Sequence, residues 1–185
     1  MEQIYTIPVN EAFEKVQEEG FCTCPFCLMY NRLEDKELDL ILGASMMEPD
    51  VRLKTNEAGF CPEHLSLMFE RGKRLPLALM LESHLDSIAK DIDGNMSSLF
   101  IGKTADNAAK RLDKLEHSCY ICDRIEYNFS RMIETAALLW QNDEKFREKA
   151  SRAPYFCLNH YGKYIRAAKE RLSKKEFADF YKETS

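Results

Sequence analysis

A chain of 185 residues with 45% hydrophobic and 31% charged residues is long enough for one domain or two small ones, and this composition is that of a globular protein rather than a disordered one. The longest apolar run, residues 75–81, falls far short of the roughly 20 residues needed to span a bilayer, and the N-terminal segment has no basic and apolar leader, so a cytoplasmic protein without a membrane partner is expected. A net charge of -5 weighs against nucleic acid as a partner.

The charge is uneven. Residues 1–95 carry 9 Lys+Arg against 18 Asp+Glu, and residues 96–185 carry 17 against 13. Attraction between the two halves, or to a second copy in a homo-oligomer, explains this most simply. The sharper alternative is a basic patch of Lys163, Arg166, Lys169, Arg171, Lys174 and Lys175 that meets an acidic protein partner or phosphates.

In chain order, "QIYTIPV" is the one stretch with a strand's alternation, and Asn10 is a plausible cap for a short helix over "NEAFEKVQEE". A helix is expected from Phe26 to about Met46, then a short capped segment through "EPDVRLKTNEAGF". Residues 63–92 read as helical, with Pro76 breaking or kinking them. "DGNMSS" (93–98) is the convincing linker, and Thr104 or Asp106 caps the helix that follows. Ile121, Ile125, Phe129, Met132, Ile133, Ala136 and Trp140 recur every three or four residues and predict one apolar face of a helix of about five turns. A second short segment, "NDEKFREKASRAPYF", leads to a last helical stretch that Ser173 and Glu176 restart as a capping box.

The chain also repeats itself. Cys24 and Cys27 of "CPFC" are followed by Cys61 and His64 of "GFCPEH"; Cys119 and Cys122 of "CYIC" are followed by Cys157 and His160 of "YFCLNH". An aromatic residue, Phe60 or Phe156, precedes the third cysteine in both copies. The expected fold is therefore all-α, with two pseudo-repeated helical units, 1–95 and 96–185, packed into one compact protein because neither buries enough surface alone.

Seven cysteines in a reducing compartment point to metal ligands or reactive thiols rather than disulfides. Ligands at i and i+3 share one face of a helix, and three sulfurs with one imidazole make the closed tetrahedral set of structural zinc. Two zinc ions are expected; an iron–sulfur cluster on the same residues is the alternative. Pairing within each half is expected, while pairing across halves would be equally tetrahedral. Cys22 aligns with His117, two residues before each Cys-x-x-Cys. Each is a possible accessory ligand, able to serve a redox or metal sensor, or else an unreactive neighbour of the site. His84 is read as an ordinary helix residue, and Tyr155, Tyr161 and Tyr164 as a possible pocket lining or simply core. No phosphate loop, Gly-x-Ser-x-Gly elbow or His-Glu-x-x-His motif occurs, so a non-enzymatic interaction or adaptor module is expected, with a redox or metal sensor, or an iron–sulfur accessory protein, on the same sites as the alternative.

The segments "IYTIPVNEAFE", "CPFC", "GFCPEHL", "CYIC" and "FCLNHY" resemble a bacterial domain-of-unknown-function family, found mostly in Firmicutes, with paired Cys-x-x-Cys and Phe-Cys-x-x-His motifs. The resemblance covers nearly the whole chain. It implies the same eight candidate ligands and no particular activity. Members labelled as transporter substrate-binding proteins fit poorly with the lack of an export signal here.

Overall fold

The computed structural model describes residues 3–18, 23–93 and 101–185, and among these the chain is all-helical, without a strand. Its helices are α1 (Thr6–Lys15), α2 (Pro25–Ile41), α3 (Pro49–Ala58), α4 (Pro62–Glu70), α5 (Arg74–Asp93), α6 (Ile101–Glu116), α7 (Tyr120–Asn142), α8 (Glu144–Ser151), α9 (Leu158–Arg171) and α10 (Lys174–Thr184). Short 3-10 turns lie at Gln3–Tyr5 and Ala44–Met47. No helix among the described residues is long and apolar enough to cross a membrane. Of the expected linker, residues 94–98 lie outside the described residues.

Two compact units emerge. The first combines Met1–Leu33 with Glu126–Ser185, and the second is Glu34–Ile125. Their boundaries fall inside α2 and α7, so they cut across the 1–95 and 96–185 halves of the sequence.

Several helix boundaries differ from expectation for identifiable reasons. The strand-like "QIYTIPV" forms a 3-10 turn and the start of α1. Pro8 is the third residue of that helix, where a backbone N–H would have no partner in the helix, so the ring costs nothing there. Asn10 lies inside α1 and donates from Nδ2 to the Thr6 carbonyl at 3.1 Å instead of capping it. Helix α6 starts at Ile101, ahead of both Thr104 and Asp106. The break after Cys-x-x-His falls at Gly72, whose φ of 72° ends α4, and Pro76 sits harmlessly in the first turn of α5. The expected capping box is present: the Ser173 side chain accepts from the Glu176 N–H, and the Glu176 carboxylate accepts from the Ser173 N–H.

Unit 1 has an aromatic core. Phe13 lies 4.7 Å from Phe146 and 5.6 Å from Phe26, centroid to centroid, and Tyr164 lies 4.8 Å from both Phe26 and Phe180. The apolar face expected on α7 is buried from end to end, with Phe129, Met132, Ile133, Ala136 and Trp140 facing this core. Lys163–Glu126 at 2.7 Å and Arg171–Glu134 at 2.5 Å neutralise part of the basic cluster along α9. Unit 2 is more aliphatic: Leu38, Ile41, Leu42, Met68, Leu77, Met80, Ile121 and Ile125 are buried there.

Candidate metal centres

All four motifs use one local device. Cys61 and Cys157 are the N-cap residues of α4 and α9, in extended conformation at φ/ψ of -69/160° and -67/148°. Cys24 and Cys119 precede the starts of α2 and α7. Each cysteine's carbonyl accepts the first helical hydrogen bond, from Leu28, Leu65, Asp123 and Tyr161 N–H at 3.1, 3.0, 3.0 and 2.9 Å. The second ligand, Cys27, His64, Cys122 or His160, follows three residues later in the first turn. Every motif is therefore a helix N-terminus presenting two donors, two sulfurs or a sulfur and an imidazole nitrogen, with the positive end of the helix behind a potential thiolate.

Two such ends meet in each group, and the expected pairing within each half is corrected. Cys24 and Cys27 join Cys157 and His160 in unit 1, while Cys61 and His64 join Cys119 and Cys122 in unit 2. One donor atom from each of the four residues lies within 4.8 Å of the others, so each Cys3His group could hold a metal ion. Cys-x-x-Cys or Cys-x-x-His spacing specifies only a local turn, so either pairing satisfies it. The choice is made by tertiary packing, which the spacing does not encode.

In unit 2, His64 Nδ1 lies 3.2 Å from Cys61 Sγ, 3.4 Å from Cys119 Sγ and 3.3 Å from Cys122 Sγ, and the Cys61 and Cys122 sulfurs are 3.9 Å apart. In unit 1, Cys27 Sγ lies 3.6 Å from Cys157 Sγ and 3.4 Å from His160 Nδ1. These sulfur separations are far beyond the roughly 2.05 Å of a disulfide. The six cysteines of the two groups are free.

The electrostatics of both groups set burial of the thiols against backbone hydrogen bonding. Burial, followed by contact with neighbouring sulfurs, pushes the Cys27 thiol up to about 12 and the Cys122 thiol still higher. Burial also raises Cys24 and Cys119, but backbone N–H groups oppose it: those of Cys157, Cys27 and Phe26 at Cys24, and those of Cys122 and Cys61 at Cys119. The backbone N–H groups thus favour sulfur anions at Cys24 and Cys119 that burial disfavours, and a cation held among the sulfurs would ease that opposition. His160 is pushed below its ordinary value, first by burial and then by Lys163, which keeps the imidazole neutral with a lone pair to donate.

The surroundings of the two groups differ. The His160 ring packs 5.0 Å from Phe129 and 6.1 Å from Tyr30. The approach to Cys61 is instead tied down by polar contacts. Asn56 O accepts from His84 Nδ1 at 3.1 Å and from Arg111 at 2.8 Å, Glu57 O accepts from Arg111 at 2.6 Å, and Ala58 O accepts from Ser118 at 2.7 Å. Gly59 O accepts from the Tyr120 N–H at 3.0 Å. The carbonyls left over at the end of α3 are thus satisfied while the two ligand-bearing turns are held together.

Outside the ligand groups, His84 does more than an ordinary helix residue, and nothing in its spacing announced the bond to Asn56. His117 is exposed, with Nδ1 2.9 Å from the Asp113 carbonyl, and belongs to neither group. Cys22 lies outside the described residues. Tyr155 and Tyr161 line a surface cavity of about 360 Å³ with Phe156, Thr184 and Ser185, whereas Tyr164 is fully buried in the core.

No curated protein and no solved structure matches this sequence. A family does match, over residues 1–185. The chain, with its Cys3His group in each unit, belongs to the family of unknown function DUF6062.

Proposed function

We propose that this is a zinc-stabilised cytoplasmic helical protein that acts as a non-enzymatic interaction module, with one ion on Cys24, Cys27, Cys157 and His160 and another on Cys61, His64, Cys119 and Cys122. The observation that carries the proposal is the size of the two groups. A tetrahedron with Zn–S near 2.3 Å and Zn–N near 2.0 Å has sulfur–sulfur edges of about 3.8 Å and sulfur–nitrogen edges of about 3.5 Å. Six of the twelve edges are direct contacts, at 3.6 and 3.9 Å between sulfurs and 3.2 to 3.4 Å between sulfur and nitrogen, and the remaining pairs lie within 4.8 Å. Four donors within 4.8 Å of one another enclose one ion. An iron–sulfur cluster is less well supported, because its ligands bind different irons around an inorganic core and stand farther apart.

Four protein ligands leave no open coordination position, which supports a structural role over a catalytic one. The reciprocal exchange of ligands fits a duplicated ancestor, since each half contributes one Cys-x-x-Cys and one Cys-x-x-His. Exposed Leu75 and Ala78, and then Leu85, Ala89 and Ile92 beyond Glu82, lie at helical spacing on α5 and offer an apolar stripe for a protein partner or a second copy.

Elemental analysis with an absorption spectrum, on protein purified without oxygen, tests the proposal. Two equivalents of zinc and no visible colour are expected. A brown protein containing iron and sulfide would overturn it.

A further inference from the structure

One buried polar atom is left unexplained by the four-ligand description. The His64 side chain is 2% exposed and its Nε2 has no hydrogen-bond partner, although the Glu34 Oε1 atom stands 3.4 Å away. The other ring nitrogen faces three sulfurs at 3.2 to 3.4 Å. If Nδ1 gives its lone pair to a metal, the ring proton must sit on Nε2, in a place where water does not reach. A buried N–H without an acceptor costs about 1–3 kcal/mol. Glu34 is the acceptor placed to remove that cost.

We infer that Glu34 is a positioning residue of the unit 2 centre. Its carboxylate takes the Nε2–H of His64, fixes the ring in the tautomer whose Nδ1 faces Cys61, Cys119 and Cys122, and makes that nitrogen a stronger donor. The role rests on the metal reading above and deepens it. Glu34 is suited to the task because it is a residue of α2, a regular helix, and its side chain is only 23% exposed. The unit 1 ring is held differently: His160 is wedged among Phe26, Tyr30 and Phe129, and the charges that act on it are those of Lys163 and Glu126, which pair with each other at 2.7 Å.

The test uses the full chain loaded with cobalt(II), which reports thiolate and imidazole ligation through its absorption bands. Wild type, Glu34→Ala, Glu34→Gln and Glu63→Gln are compared by competition with a chromophoric chelator, with helicity checked at saturating metal. Glu63 lies in the first turn of α4 beside His64, so Glu63→Gln removes a charge from the same helix end. The expected result is that wild type binds two equivalents and Glu34→Ala weakens one of them roughly 10–100-fold while sparing the other. Glu34→Gln, which keeps an acceptor oxygen, should lose less, and Glu63→Gln should be near wild type. Nitrogen NMR of His64 should show a protonated Nε2 in wild type. If wild type takes up two equivalents and Glu34→Ala releases both as wild type does, the positioning role is wrong and the metal reading stands. If wild type takes up no metal, both fall.

Discussion

The two centres share a donor set and a local design but are held by opposite means. Unit 1 surrounds Cys24, Cys27, Cys157 and His160 with aromatic rings, Phe26, Tyr30 and Phe129 against the histidine and Phe13, Phe156 and Tyr164 behind them. Unit 2 holds Cys61, His64, Cys119 and Cys122 by hydrogen bonds from Arg111, His84 and Ser118 to one chain reversal, with Glu34 at the back of its histidine. Chain connectivity differs as well. Contacts in the unit 1 group join residues 130 and 133 apart, and those between the motifs in unit 2 join residues 55 to 61 apart. The entropy of loop closure grows only with the logarithm of length, so this doubling costs about 0.6 kcal/mol. A structural zinc contributes roughly 10–16 kcal/mol in apparent terms. Connectivity is therefore too small a term to rank the centres. What differs is how each responds when its surroundings are altered.

The largest expected effect is loss of a metal, and it also tests the pairing directly. Cys24→Ser and Cys157→Ser should each remove one equivalent, and the double variant should still bind one, because both residues serve unit 1. Cys24→Ser combined with Cys61→Ser should bind none. With pairing inside each half of the sequence, these two outcomes would be reversed. Loss of either ion is comparable with the roughly 5–15 kcal/mol stability of a whole domain, so chelation should abolish the cooperative thermal transition, as followed by circular dichroism.

That exchange of partners marks the limit of what was legible beforehand. The eight donors were visible because Cys-x-x-Cys and Cys-x-x-His are local devices, complete within one helical turn. The face of α7 was visible for the same reason: Ile121, Phe129, Ala136 and Trp140 repeat with the helix's own period and are all buried. Which turn meets which depends on contacts across scores of residues, and no periodicity records them. Glu34 was hidden in another way, since in "NRLEDKELD" it is one carboxylate among several in a charged stretch of α2. Pro76 misled because proline punctuates a helix interior but is welcome in a first turn, and α5 begins only two residues before it, after the break at Gly72.

A packing change should separate the centres next. Phe26→Ala removes a ring that is fully buried and touches Phe13, Tyr164 and the His160 ring. Such truncations cost about 3–5 kcal/mol. Denaturant unfolding of the metal-loaded protein should show a loss of that size, with chelator competition weakened at one equivalent only. Equal weakening at both equivalents would mean that the aromatic core does not belong specifically to the unit 1 centre.

Proton linkage should show what the two centres share. In the metal-free protein Cys27 is raised to about 12 from an ordinary value near 9.0, and Cys24, Cys119 and Cys122 are raised too. A raised thiol contributes stability to the metal-free fold that is fully present below its unfolded value and is lost as pH rises through the folded one. Metal binding reverses the sign, because it must expel those protons. At neutral pH both thiols of each Cys-x-x-Cys should give up a proton on loading, so affinity at either centre should fall at least about a hundredfold for each pH unit of acidification. Calorimetric titration of zinc in buffers of different ionisation enthalpy measures the protons released. A pH-independent affinity would contradict the burial that raises these thiols.

The smallest expected effect isolates the polar support of unit 2. Gly59 ends α3 at φ 65° and ψ -159°, a conformation almost confined to glycine, and it directs the chain through Phe60 into Cys61. A β-carbon there would sit 3.0 Å from His84 Nε2 and 3.2 Å from Leu115 Cδ2. The substituted chain would have to strain its backbone and also push away the ring that bonds Asn56. Gly59→Ala should therefore cost on the order of 1–3 kcal/mol and speed metal release from unit 2 alone. His84→Ala relieves the steric half of that conflict. Because the clash with the ring and the loss of its bond to Asn56 both vanish there, Gly59→Ala should cost less in the His84→Ala background than in wild type. Additive effects in this double-mutant cycle would instead mean that the backbone conformation carries the whole penalty and that the ring yields freely.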